Sequence, residues 1–299
     1  MREIVTGVDQ AEQSEHVLAH ALSEAETTAR PVRVVHAWAD PVWVAGPAGM
    51  GFESLPPMQD SARWAQEAAE ALLDKALLQR TSTRPVTISA HAVRGDPGDV
   101  LVQAGADAGL VVVGGRTHGG VLSTLLGSAT GYVLHHSAGP VMVVPDTCAP
   151  GPYRRVVVGF DDEACSRAAL RWALDAARRH RCPVLVVHAL RLTPSPVPVA
   201  ADLSRPDDES ELGAWLDSEV AKAKHGLDDV TTSCAVRDGS AAAVLLAAAG
   251  PADLLVLGSR GRGGFASLVL GSVATQCAQH AEGVVVVVRA GAERLDDPA

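Results

Sequence analysis

The sequence predicts two tandem copies of a doubly wound α/β unit, each built on a five-stranded, mostly parallel sheet. Three observations lead there. The first is an internal repeat. IVTGVD at 4–9 returns as VVVGFD at 156–161, and VRVVHAW at 32–38 returns as VLVVHAL at 184–190, both offset by 152 residues. LVVVGGRTHGGVLSTLLGSAT (110–130) returns as LLVLGSRGRGGFASLVLGSVA (254–274) with an offset of 144, so the second copy is shorter in between. Such a period is far too long for a solenoid and marks a duplicated domain. The second observation is composition: 47% hydrophobic residues but only 3% aromatic. Cores made of Val, Leu and Ala suit helices packed on buried parallel strands. The third is alternation, along each half, of short apolar runs with segments of helical periodicity.

The 299 residues suit two domains of roughly 150 residues each. We place them at 1–147 and 153–290, joined by the short Pro/Gly linker TCAPGPYRR (147–155). In the first half, 2–8 is an apolar, β-rich run. Val17, Leu18, Ala21, Leu22 and Ala25 recur at helical spacing within 11–29. A strand at 32–37 leads into a loop rich in Pro and Gly. A long amphipathic helix follows at 61–80, with Trp64, Ala68, Leu72 and Ala76 at four-residue steps. Then come a strand at 86–93, a helix at 97–107, a strand at 110–114, a helix at 127–137 and a strand at 140–144. The second half repeats the order, with strands near 155–160, 184–189, 231–236, 254–258 and 284–288. Its helices fall near 163–180, 209–225, 240–249 and 271–281. Right-handed crossovers turn this alternation into a doubly wound sheet, whose ligands sit outside the carboxyl ends of the strands. The positions to inspect are therefore Gly7, Asp9, Ala37 and Gly114 onward in one copy. In the other they are Gly159, Asp161, Ala189 and Gly258 onward.

In the second copy Gly258 and Gly261 flank a tight turn after the fourth strand, and Gly271-Ser272 opens the next helix. Glycine is needed where backbone amides must approach an anion, and a helix N-terminus adds free N–H groups and a positive dipole end. Ser272 is the expected N-cap, with a hydroxyl for the same oxygens. Arg260 and Arg262 supply positive charge in an otherwise acidic chain. A flexible loop before a capped helix would give the same pattern in isolation. Its place at a strand end, and its recurrence, favour an anion site. Asp9 and Asp161 read either as ligand groups or as caps of the helix that follows.

The pattern G-x2-G-x9-G-[ST] after the fourth strand, with an aspartate ending the first, resembles the signature of ATP-binding universal stress proteins. Here it is Gly258, Gly261, Gly271 and Ser272, with Asp161. The resemblance covers both copies and hence nearly the whole chain. It implies a Rossmann-like, adenine nucleotide alpha hydrolase-like fold and ATP, with or without Mg²⁺, as ligand. Asp161 and the backbone around Ala189 and Leu257 would face ribose and adenine. The glycine turn with Arg260 and Arg262, and Gly271, Ser272 and Val273 at the helix start, would hold the phosphates. In the first copy the matching positions are Gly7, Asp9, Ala37, Val113, Gly114, Arg116, Thr117, Gly127 and Ser128. Thr117 departs from the pattern, because it stands where the second copy has Gly261. If that position needs positive φ, a β-branched residue resists it by roughly 1–2 kcal/mol, so the first site is expected to be the weaker.

Three function classes then compete: a nucleotide-binding regulator, an enzyme on the same fold, and a scaffold or dimerisation protein independent of nucleotide. Adenylating relatives of the fold carry an SGGxDS-like loop after the first strand. This chain has VDQAEQS and FDDEACS there, and no Gly-Lys-Ser/Thr follows its fourth strands. No catalytic residue is assigned, and the expectation is a stress-response regulator with slow or no ATP hydrolysis, not an enzyme.

The net charge of −10 argues against non-specific nucleic-acid binding, which needs a basic face. The apolar runs are too short for membrane spans, and MREIVTGVDQ enters a strand with no signal-peptide core. Five cysteines (148, 165, 182, 234, 277) form no CxxC pair, which fits a reducing cytoplasm. His36 and His188 recur at the end of the second strand and read as satisfied, half-buried side chains. Neither His118 nor the adjacent pair His135-His136 recurs as such in the second copy, which argues against a metal site. VMVVP (141–145) and VVVVV (284–288) are apolar enough to need cover. The resemblance implies that protomers pair through these last strands, which two copies in one chain can satisfy internally as a pseudo-twofold pair. A homodimer of the chain and an unidentified partner protein remain compatible with this arrangement.

Overall fold

The computed structural model describes residues 2–9, 13–39, 58–79, 84–115, 126–146, 148–190, 209–261 and 270–291. In the first copy the elements are β1 (Ile4–Val8), α1 (Gln13–Thr28), β2 (Val32–Trp38), α2 (Met58–Gln79), β3 (Ile88–Arg94), α3 (Pro97–Ala104), β4 (Leu110–Gly114), α4 (Ser128–His136) and β5 (Val141–Val144). The second copy continues with β6 (Arg155–Gly159), α5 (Ala164–His180), β7 (Val184–Leu190), α6 (Glu209–Ala223), β8 (Thr232–Asp238), α7 (Ala241–Ala248), β9 (Asp253–Gly258), α8 (Ser272–His280) and β10 (Val285–Val288).

All ten strands form one sheet in the order β3-β2-β1-β4-β5-β10-β9-β6-β7-β8. Pairing is parallel within each copy. The copies join where β5 and β10 run antiparallel, with Val141 opposite Val287, Met142 opposite Val286 and Val143 opposite Val285. Joining them buries both strands throughout, so neither copy keeps a bare valine edge. The winding reverses between β1 and β4 and again between β6 and β9, which makes two switch points where ligands can bind.

Alternate residues of the apolar strands feed opposite cores. Ile4, Leu110, Val112 and Met142 pack with α1, α2, α5 and α6 on one face. Val5, Val111, Val113 and Val141 pack with α3, α4, α7 and α8 on the other. The valine-rich strands are thus covered on both faces, which is why they read as continuous apolar runs.

The face of α2 departs from the sequence reading. Trp64 is 65% exposed, and the helix instead buries Ala65, Ala69 and Ala76, with Leu72 and Leu73 partly covered. Small alanines let α2 approach the sheet closely, and a tryptophan one position earlier falls off that stripe.

Polar contacts also tie the copies together beyond β5 and β10. Glu24 of α1 is buried against the second copy. It accepts a hydrogen bond from the Tyr153 hydroxyl (3.2 Å), and His180 Nε2 lies 3.1 Å from Oε1 and 3.3 Å from Oε2. At the far end of β10, the Arg289 guanidinium donates to the carbonyls of Leu134 (2.9 Å) and His135 (2.6 Å). A cation from the second copy thereby satisfies the last turn of α4. Among the described residues, no helix is long and apolar enough to cross a membrane.

Candidate functional site

At the first switch point, the strand ends and two helix N-termini converge. Asp96 caps α3, its carboxylate accepting from the backbone N–H groups of Gly98 (2.9 Å) and Asp99 (3.4 Å), with Pro97 as the first helical residue. That geometry pre-sets φ and satisfies otherwise orphaned donors. α4 starts at Ser128 after Gly127. Between them lies a cavity of about 280 Å³. It is lined by Gly7 near the end of β1 and Asp9 just after it, Ala37 on β2, Val113 and Gly114 on β4, and Gly127 and Ser128 at α4.

Sequence reasoning missed Ser14, Val17, Leu101 and Thr130, which also line the cavity. Ser14 had a signal: Asp9 and Ser14 recur as Asp161 and Ser166, at the same five-residue spacing and the 152-residue offset. The Ser14 hydroxyl donates to Asp9 Oδ1 (2.7 Å), while the Asp9 N–H donates to Ser14 Oγ (2.8 Å).

In the second copy, Gly159, Asp161, Leu257, Gly258, Gly261 and Gly271 come together, and Ala189 is the penultimate residue of β7, in register with Arg237 of β8. Asp161 is not the cap of α5. Glu163 takes that place, and its N–H donates to Asp161 Oδ1 (3.2 Å). Ser272 is not a cap either, because Gly271 holds the N-cap position with φ −79° and ψ 155° and Ser272 is the first helical residue. The Gly271 N–H is already used, donating to the Ser259 carbonyl at 2.7 Å. What this helix start can offer an anion is therefore the first-turn amides of Ser272 and Val273, which a helix leaves without intrahelical acceptors.

The two glycines of the turn serve different purposes. A Cβ on Gly258 would stand 2.8 Å from the backbone of Cys165 and Ser166, so β9 and the start of α5 touch there. A Cβ on Gly261 would stand 2.5 Å from Asp161 Oδ2. Gly261 is not among the positive-φ glycines, so the expected demand for left-handed backbone is not what selects it. Proximity to the aspartate is. Gly261→Ala should accordingly cost under about 1 kcal/mol, because a carboxylate can rotate aside where a packed core cannot. It should still weaken second-site binding, and urea unfolding paired with ligand titration separates the two effects. Arg116, Thr117 and Arg262 lie outside the described residues, as does His118.

Cys165 sits beneath the same turn, with its Sγ 3.5 Å from the Ser259 hydroxyl. Burial pushes its thiol up. Hydrogen bonds from Ser259, from the Ala290 and Arg260 backbone and from the Arg260 side chain outweigh that and hold it below the usual thiol range. His36 and His188 are buried, each with ring Nδ1 on a backbone carbonyl. His136 is exposed and stacks on Tyr132 at 4.0 Å. Among the described residues, no group of three or more His, Cys, Asp or Glu could hold a metal ion.

The model of the universal stress protein family matches residues 1–145 and again 152–289. The chain belongs to the universal stress protein family. A universal stress protein of Mycolicibacterium smegmatis is 32% identical over 290 residues, covering 96% of each chain. One of Mycobacterium tuberculosis is 31% identical over 297 residues with the same coverage. A crystal structure of a universal stress protein from Archaeoglobus fulgidus shares the fold, with a TM-score of 0.66 at 19% identity over 97% of this chain and 98% of that one. Both mycobacterial relatives match over 96% of their length, across both copies, so the paired-domain layout is common to them and to this universal stress protein.

Proposed function

We propose that this universal stress protein is an ATP-binding stress-response regulator. It acts through nucleotide-dependent conformation or binding of a partner protein in a reducing cytoplasm, with little or no hydrolysis. The observation that carries this reading is the first-copy cavity. Every described first-copy position of the glycine–aspartate signature lines it: Gly7, Asp9, Ala37, Val113, Gly114, Gly127 and Ser128.

The donor set suits an adenine nucleotide. Val35 and Ala37 offer apolar surface to a base, and Asp9 with Ser14 offers an acceptor and a hydroxyl to a ribose diol. The start of α4 offers N–H groups and a dipole end to phosphate. Small-molecule pockets run from about 300 to 1,000 Å³, so this cavity suits the nucleoside part, with the phosphates extending outward. ATP, with or without Mg²⁺, would supply a triphosphate whose presence or absence distinguishes two states. Asp9 is the sole titratable side chain among the described lining residues, which favours retention over turnover, since hydrolysis calls for a positioned base and charge clamp.

Saturating ATP should raise the melting temperature. At a hundredfold excess over the dissociation constant, the gain is about 2.7 kcal/mol. Gly127→Glu and Gly271→Glu should each remove one site in calorimetric titration, and together remove both. No shift at millimolar ATP would leave the scaffold reading in its place. Steady-state turnover on the order of 1 s⁻¹ or faster would make the protein an ATPase.

A further inference from the structure

The peptide group that leads into each site aspartate is held from both sides. At the end of β1 the Val8 carbonyl accepts from His36 Nδ1 at 3.1 Å, and the N–H of the same peptide, that of Asp9, donates to Ser14 Oγ at 2.8 Å. At the end of β6 the Phe160 carbonyl accepts from His188 Nδ1 at 2.7 Å, and the Asp161 N–H donates to Ser166 Oγ at 3.3 Å. All four positions recur at the 152-residue offset.

A peptide group is planar, with its C=O and N–H pointing in opposite directions. Two hydrogen bonds at opposite ends therefore fix its rotation, and with it the direction in which the aspartate side chain leaves the backbone. The carbonyl can only accept, so each ring must carry its proton on Nδ1. Both rings are buried, His36 at 8% and His188 at 3% exposure, so water does not compete for the bond. β2 runs two residues past the last register pair, Val8 with His36, which puts the ring where β1 leaves the sheet. In the second copy Trp215 of α6 braces the His188 ring edge-on, with centroids 5.5 Å apart. A buried strand position asks only for an apolar side chain, and the repeated choice of a donor aimed at this one peptide calls for another reason.

We infer that His36 with Ser14, and His188 with Ser166, form two peptide clamps that position Asp9 and Asp161 for the ligand. This inference rests on the nucleotide-site reading above. The test is calorimetric titration of ATP into a Gly271→Glu parent, which keeps only the first site, with His36 varied. His36→Leu keeps the bulk and loses the donor, and should weaken ATP binding about tenfold. His36→Asn offers an N–H near the Nδ1 position and should recover most of the loss. A general packing role would not be rescued in this way. If the parent itself fails to bind ATP, the nucleotide reading falls, and the clamp's role falls with it. If the parent binds and His36→Leu binds equally well, or His36→Asn does no better than His36→Leu, the clamp alone is overturned. NMR of histidine-labelled unmodified protein adds a measurement that needs no variant. Protons on Nδ1 of both rings support the clamps, and protons on Nε2 overturn them.

Discussion

Glu24→Ala should lower the unfolding free energy by about 2–3 kcal/mol, the usual range when a buried charged group loses its hydrogen bonds. Glu24 is 4% exposed and takes hydrogen bonds from Tyr153 and His180, both in the second copy or its linker. Its removal takes the carboxylate away from those two donors and from the nearby Arg179 charge. Burial pushes the Glu24 carboxyl up, but His180 by charge and hydrogen bond, then Arg179 and Tyr153, outweigh it and hold it below its ordinary value of 4.5. The stability that follows is therefore fully present above about pH 4.5 and is lost as pH falls through the lowered folded value. Urea unfolding should show the gap between wild type and Glu24→Ala at pH 7 narrowing below pH 4. A gap under about 1 kcal/mol at pH 7, a typical surface value, would mean that the contact does not join the copies. The latch also has a direction. At the 152-residue offset, Glu24 corresponds to Ala176 and His180 to Thr28, so the carboxylate comes from one copy and the histidine from the other.

Gly258→Ala should cost about 2–3 kcal/mol, at the upper end for an added methyl in a packed interior, and weaken ATP binding at the second site at least tenfold. The methyl would meet backbone atoms of Cys165 and Ser166 at 2.8 Å, and neither can rotate away. The first turn of α5 would have to move, carrying with it the Ser166 hydroxyl that receives the Asp161 N–H. Calorimetric titration in a Gly127→Glu background isolates that site, and urea unfolding reports the packing cost. Unchanged values in both would show that the end of β9 has room to spare. The contrast with Gly261→Ala is physical: one neighbour is backbone, and the other is the tip of a carboxylate.

Much of the fold was legible because it is written in local periodicity. The valine runs at 110–114 and 284–288, the helical spacing of Val17 to Ala25, and the Gly-Ser pairs opening α4 and α8 each need only a few neighbouring residues to be read. The candidate positions followed from them, since a doubly wound topology puts ligands at strand ends whatever the side chains are. Reading failed where the answer depended on phase or on a partner far along the chain. Trp64 and Ala65 differ by one step in a helix whose small residues do the packing, and four-residue spacing could not choose between them. Ser272 reads as a cap because its side chain can serve as one, yet the backbone of Gly271 already occupies that place.

What the sequence determined by itself is the duplication and the order of strands and helices, and it marked the candidate positions for a ligand in each copy. Continuous apolar runs, apolar periods of 3.6 residues and the glycine spacing are properties of short segments. Only the tertiary structure decided that β5 and β10 pair antiparallel into one ten-stranded sheet. It also decided that Gly261 is small because Asp161 lies against it, and that the Gly271 amide is spent on Ser259. Glu24 meets His180 across 156 positions of chain, and no local pattern encodes such a meeting. Those outcomes depend on distances between residues far apart in the chain, which exist only once both cores have closed around the sheet.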